Sequence, residues 1–133
     1  SAGVATAVVI LSAITGVPLR ADVAMTGEID LRGNSMPIGG LREKTLAAVR
    51  EHIATVLVPK ENHKDVLELP KETLDRLKII EVKSVDEVIP HVFAKDLLAL
   101  KPEIAKRTYT EKKGEPGAPV PPQRGRAEPT ANA

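Results

Sequence analysis

The first charged residue of this chain is Arg20, and the run before it sets the pattern. From Ala2 to Thr15 the residues are uncharged and apolar on every face of a helical wheel, which a helix sustains when protein surrounds it. At ~1.5 Å per residue this run spans roughly 21 Å, too short to cross a membrane. It predicts a buried helix with Ser1 at its N-cap, stopped by Gly16 with Pro18 just beyond. Alternation of Val23 and Met25 with smaller or polar neighbours predicts a strand over 22–28. Ile29, Leu31, Met36 and Ile38 flank Gly33-Asn34 as in a hairpin with a two-residue turn, and Pro37 puts its second strand at an edge or bulge. Gly39-Gly40 opens a second helix from Leu41 to His52, and the β-branched run over 54–58 reads as a strand covered on both faces. Short helices over 64–69 and 71–77 follow, then a strand over 79–82 and a helix from Ser84 to Leu98, where Ser84 and Glu87 have capping-box spacing. This alternation predicts an α/β or mixed α+β fold with a partly parallel sheet.

Composition narrows the picture. Across 133 residues, 19 basic and 18 acidic side chains leave a net charge of +1, which gives no general case for nucleic acid or an anionic membrane as partner. There is no cysteine, so neither a disulfide framework nor a thiolate metal site is available. Phe93 and Tyr109 are the only aromatics, so base-stacking platforms are absent. From Glu111 onward proline and glycine replace apolar anchors. The expected organisation is a domain over 1–98, a linker over 99–110 and a disordered Pro/Gly-rich tail over 111–133.

Two residues invite chemistry. On the second helix Leu41, Lys44, Ala47 and Ala48 share a side, which places Lys44 toward the protein while Arg42, Glu43, Arg50 and Glu51 supply the wet side. Such a lysine either snorkels outward or sits partly desolvated. Desolvation disfavours the charged form, and a neutral amine can take a proton from a serine hydroxyl, the requirement of a Ser-Lys dyad. Ser1, at a helix start with no initiator Met before it, is the available hydroxyl. An N-cap serine commonly just satisfies a backbone N–H. A rival chemistry makes the free α-amine of Ser1 the base, as in N-terminal-nucleophile hydrolases. His52, His63 and His91 show no metal-ligand spacing and fit capping or surface roles. The charged stretch over 60–65 reads as a solvated helix start, or as a contact between subunits of an oligomer.

Ser1-Ala-Gly, then Asp22-Val-Ala-Met-Thr-Gly-Glu28, Leu31-Arg-Gly33, Pro37-Ile-Gly-Gly-Leu-Arg-Glu-Lys44 and Val56-Leu-Val-Pro-Lys-Glu-Asn62 resemble, in order, the proteolytic domain of the Lon proteases, ATP-dependent enzymes with a Ser-Lys dyad. The likeness runs over roughly residues 1 to 93 and implies the Lon proteolytic fold. By this resemblance Ser1 is the nucleophile, Lys44 the general base and Thr26 a supporting residue beside the lysine. Arg42 stands where the family has its first lysine, a surface change that leaves the dyad untouched. The resemblance further implies cytoplasmic protein quality control, unfolded or tagged polypeptides as substrates, and a homo-oligomer, commonly a hexameric ring.

The departures carry expectations too. The family's Lys-Asp-Gly-Pro segment ahead of the serine, the strands that help line the site and the ATPase module are missing, and no Gly-x-x-x-x-Gly-Lys-Ser/Thr phosphate loop occurs. The chain is accordingly read as the C-terminal piece of a longer protease that binds ATP and Mg in its ATPase module. No cofactor or metal is expected in this chain itself, and the fragment alone need not be active. Under that reading the Ser1 amine is incidental and the N-terminal-nucleophile alternative falls away. A non-catalytic assembly module that keeps the Lon fold is the other alternative.

Overall fold

The computed structural model describes residues 1–97. In chain order they form α1 (Gly3–Thr15), β1 (Val23–Met25), β2 (Glu28–Ile29), β3 (Ser35–Met36), α2 (Leu41–Arg50), β4 (Thr55–Pro59), a 3-10 turn (Lys60–Asn62), α3 (His63–Leu67), α4 (Lys71–Arg76), β5 (Lys78–Val82) and α5 (Val85–Val92). The expected linker and tail, with Leu98, lie outside the described residues. β1, β4 and β5 make a parallel sheet with β4 in the centre, in register Val23↔Thr55 and Val56↔Ile79. β2 and β3 form a separate antiparallel ribbon. The fold is mixed α/β, as the alternating pattern predicts.

Because side chains alternate across a strand, the central strand feeds two cores. Leu57 faces Val4 and Val8 of α1 and Val88 and Val92 of α5, whereas Val56 and Val58 face Leu41 and Ala48 of α2 with Leu69 and Leu77. Leu57 and Val58 are wholly buried, each worth ~1.5–3 kcal/mol of transfer free energy. Helices therefore cover both faces of the sheet.

Local structure departs from the sequence expectations in four places. First, Ala2, not Ser1, is the N-cap of α1, and it makes no side-chain capping bond. Gly16 closes the helix in the left-handed conformation with its N–H on Ser12 O, as expected. Burial of α1 is one-sided: Val4 and Val8 are covered, while Val9, Ile10 and Ile14 are more than half exposed, since no described element packs over them. Second, the hairpin turn spans five residues, not two. Asp30 organises it by accepting from the N–H groups of Arg32 (2.8 Å) and Asn34 (2.9 Å) and from Asn34 Nδ2 (2.7 Å). Those bonds hold the Asp30 carboxyl below its ordinary range, the Asn34 side chain contributing most. Their stabilisation is present above the unfolded-state value and fades as pH falls through the depressed folded one.

Third, Ser84 is the N-cap of α5, but its hydroxyl makes no capping bond. Glu87 instead accepts from Lys83 N–H at 2.8 Å, one residue earlier than a capping box requires. The helix ends at Val92 because Phe93 turns extended and bridges to Leu19. Fourth, His63 begins α3 one residue ahead of the expected helix over 64–69, and its Nδ1 meets Glu81 Oε1 of β5 at 2.7 Å. No helix among the described residues is long and apolar enough to cross a membrane.

A buried amide ties the loop before α2 to the end of β4. Asn62, 2% exposed, donates from Nδ2 to Ile38 O (2.8 Å) and accepts from Ile38 N–H on Oδ1 (3.0 Å), imitating a strand neighbour. Asn62→Ala leaves both Ile38 backbone groups unpaired away from water. The expected loss is about 2–3 kcal/mol, read as a lower denaturant midpoint with unchanged slope. Asn62→Asp should not rescue it, because a carboxylate cannot donate to Ile38 O and would face Asp65, to which Asn62 Nδ2 also donates.

Candidate active site

β1 and the turn after it hold the start of α1. Gly27 N–H donates to Ser1 O (3.1 Å), and Gly27 O accepts from Val4 N–H (3.1 Å), so the two segments are laced on both sides of Gly27. Thr26, buried at 6% exposure, donates from Oγ1 to Ser1 O at 3.5 Å, while its own N–H goes to Leu57 O of β4. The terminal amine of Ser1 meets Glu28 Oε1 at 3.4 Å on the exposed side. The geometry thus fixes the Ser1 carbonyl through the central sheet, one residue ahead of the N-cap of α1.

Lys44 approaches the same point from α2. Gly40, the N-cap of α2, has φ of 69°, a left-handed conformation that glycine adopts without steric cost. That turn brings Gly39 O within 3.3 Å of Lys44 Nζ, which donates to it. The core stripe of α2 is Leu41, Thr45 and Ala48, all buried, which corrects the expected inward face of Leu41, Lys44, Ala47 and Ala48. Lys44 is only partly buried and flanks that stripe. Positions 44, 47, 48 and 51 share a second stripe at helical spacing, and this one lines a pocket.

The pocket, about 460 Å³, is lined by Ser1, Thr26 and Lys44 together with Ala5, Met25, Ala47, Ile53 and Val56 among others. Ser1, Lys44 and Thr26, the three residues singled out by the sequence, therefore reach one cavity. Among the described residues no hydrogen bond joins Ser1 Oγ to Lys44 Nζ, and Thr26 bonds the serine's carbonyl instead of the lysine. No group of three or more metal-ligating side chains exists among the described residues.

Sequence reasoning missed Gly27, Gly39 and Glu51 as parts of this site. Gly39-Gly40 was legible only as a helix start, although a glycine at that N-cap signals an unusual backbone. Glu51 was assigned to the wet side of α2, yet it lies seven residues after Lys44, the spacing that returns to one face.

Residues 1–95 match the Lon protease (S16) C-terminal proteolytic domain. The Lon protease of Geobacter metallireducens is 44% identical over 135 aligned residues, covering 100% of this chain and 15% of that protein. Those of Nitratidesulfovibrio vulgaris and Azorhizobium caulinodans are 59% and 56% identical, each over 68% of this chain and 11% of their own length. The chain thus spans 11–15% of the length of these relatives. With that match covering every element described above, the chain belongs to the Lon protease (S16) family, through its C-terminal proteolytic domain.

Proposed function

We propose that this chain supplies the peptide-cleaving site of an ATP-dependent Lon-type protease, working by a Ser1–Lys44 dyad. The observation that carries the reading is the convergence of Ser1, at the start of α1, and Lys44, on α2, upon one apolar pocket. Lys44 as a neutral amine takes the Ser1 hydroxyl proton while Oγ attacks the substrate carbonyl. The tetrahedral oxyanion develops at the helix start, where Val4 N–H is already taken by Gly27 O, and the backbone amides ahead of it are the donors this reading assigns. The Lys44 ammonium then protonates the leaving amine as the C–N bond breaks, and an acyl group remains on Ser1. Water, deprotonated by Lys44, attacks that ester, releases the acid and returns the proton to Oγ. For the proton transfer Lys44 Nζ exchanges its bond to Gly39 O for one to Ser1 Oγ.

Thr26 holds the serine's backbone in register. Unfolded or tagged polypeptides are the substrates, and an ATPase region on the same full-length polypeptide, binding ATP and Mg, delivers them within a homo-oligomeric, commonly hexameric, cytoplasmic ring. A fluorophosphonate probe tests the nucleophile: it should label the full-length protease at Ser1, and Ser1→Ala should abolish labelling. An assembled, ATP-hydrolysing ring in which Ser1 never reacts favours the alternative, a non-catalytic assembly module.

A further inference from the structure

Of the charged stretch over 60–65, one side chain, Asn62, is shut away from water. The 3-10 turn Lys60–Asn62 at the end of β4 carries it inward, 2% exposed, against the segment that leads into α2. Its two bonds to Ile38 act on separate peptide planes. Oδ1 accepts from the N–H ahead of the Ile38 Cα at 3.0 Å, and Nδ2 donates to the C=O after it at 2.8 Å, so the backbone angles of Ile38 are fixed. Asp65 also accepts from Nδ2, which uses both N–H groups of the amide and keeps it from flipping. The next peptide plane carries Gly39 O, which accepts from Lys44 Nζ at 3.3 Å. The plane after that carries Gly40 O, which accepts from Lys44 N–H at 3.2 Å. Neither glycine has a Cβ to restrict its path. The pair is held from its ends, by Leu41, 4% exposed in the core under α2, and by Ile38 in the grip of Asn62.

We propose that Asn62 is a positioning residue of the proteolytic site: by clamping Ile38 it fixes the Gly39 carbonyl on which the amine of Lys44 rests. The inference rests on reading Ser1 and Lys44 as the dyad and adds what keeps the base in place. Asn62 touches neither substrate nor reacting atoms. It acts through two links, its own amide on Ile38 and Gly39 O on Lys44 Nζ. A side-chain amide supplies the adjacent donor and acceptor that such a clamp needs. Without it the Ile38 N–H and C=O turn to find water, the glycine pair follows, and Gly39 O leaves its place. The flexible stem of Lys44 then has no fixed rest from which to reach Ser1 Oγ. A misplacement of about 1 Å at a reacting group costs on the order of 10²-fold in rate. The loss falls on proton transfer and not on substrate binding, so kcat drops while KM stays.

Steady-state cleavage of an internally quenched peptide by the full-length protease tests this, at a temperature where every variant is folded. Asn62→Ala should lower kcat roughly 10- to 100-fold, with KM within about twofold of the wild type and ATP hydrolysis retained. Val92→Ala is the stability control. Val92 is 1% exposed and belongs to the core on the opposite face of the sheet from Ile38. Its truncation should lower the denaturant midpoint too, yet leave kcat within about twofold. Asp65→Ala, at an exposed position, stands in if Asn62→Ala does not assemble: it releases one side of the amide and should lower kcat about threefold at unchanged KM. A wild-type kcat in Asn62→Ala, or in Asp65→Ala where it stands in, overturns the proposal. So does a loss confined to KM, or an equal fall of kcat in Val92→Ala. Lys44→Ala is assayed alongside: persisting cleavage there rejects the dyad, whereas lost cleavage there with a wild-type kcat in Asn62→Ala rejects only the positioning role.

Discussion

Lys44→Ala in the full-length protease should lower casein hydrolysis by about three orders of magnitude or more, with ATP hydrolysis and ring assembly retained. Lys44 is partly buried at the flank of α2, outside the Leu41, Thr45 and Ala48 stripe that holds the helix to the sheet. Its removal therefore opens no core cavity, and the free energy of unfolding should stay within about 0.5 kcal/mol of the wild type. Lys44→Arg separates charge from chemistry. An arginine keeps the positive charge and can still donate to Gly39 O, but a guanidinium does not give up its proton and cannot serve as base. Proteolysis should be lost as fully in Lys44→Arg as in Lys44→Ala. Substantial casein hydrolysis in the arginine variant would mean that the lysine acts by charge or packing, and the dyad would fall.

That lysine also shows what the sequence could and could not convey. Element order was legible because starts and stops have local chemistry, as with Gly16 after α1 and Gly39-Gly40 before α2. The β-branched run of β4 likewise announced a strand buried on both faces, and Val56, Leu57 and Val58 are all buried. Helical spacing alone, however, does not decide which of two adjacent stripes faces the core. Leu41, Lys44 and Ala48 fit one period as well as Leu41, Thr45 and Ala48 fit another, and Thr45, wholly buried with its hydroxyl on Arg42 O, decided it. The hairpin was mistaken in length because the Asp30 side chain, not a glycine, organises its turn. Nothing local signals that Asn62 pairs with Ile38, or that Phe93 leaves its helix to bridge with Leu19, since both partners are distant in sequence. The candidate site was indicated by motif resemblance, while the backbone contacts of Gly27 and Gly39 beside it emerged from the tertiary structure.

Gly27→Ala should cost about 2–4 kcal/mol of stability and, in the full-length protease, most of the proteolytic activity. A Cβ at this position would lie 2.7 Å from Val4 Cγ2 and 2.9 Å from Ser35 Oγ, closer than real contacts allow, with Pro59 Cγ at 3.4 Å. The residue's φ of 154° adds strain that a side chain rarely accepts. None of these neighbours yields easily. Val4 is wholly buried in the α1–α5 core, Ser35 is 5% exposed, and Pro59 ends the central strand. The least costly relaxation moves the first turn of α1 away from the sheet, lengthening Val4 N–H to Gly27 O and Gly27 N–H to Ser1 O. Ser1 then shifts relative to Lys44, and a displacement of about 1 Å at a reacting group costs on the order of 10²-fold in rate. Ser35→Ala is the control that apportions the clash. The Ser35 hydroxyl is buried without a hydrogen-bond partner among the described residues, so removing it should be neutral or slightly stabilising on its own. In the double variant it should recover part of the Gly27→Ala stability loss, but not the part due to Val4. Because the remaining clash presses on the α1 turn that carries Ser1, activity should recover less than stability. Full recovery of both in the double variant would place the strain at Ser35 alone and remove Gly27 as the residue that holds the nucleophile's helix in place.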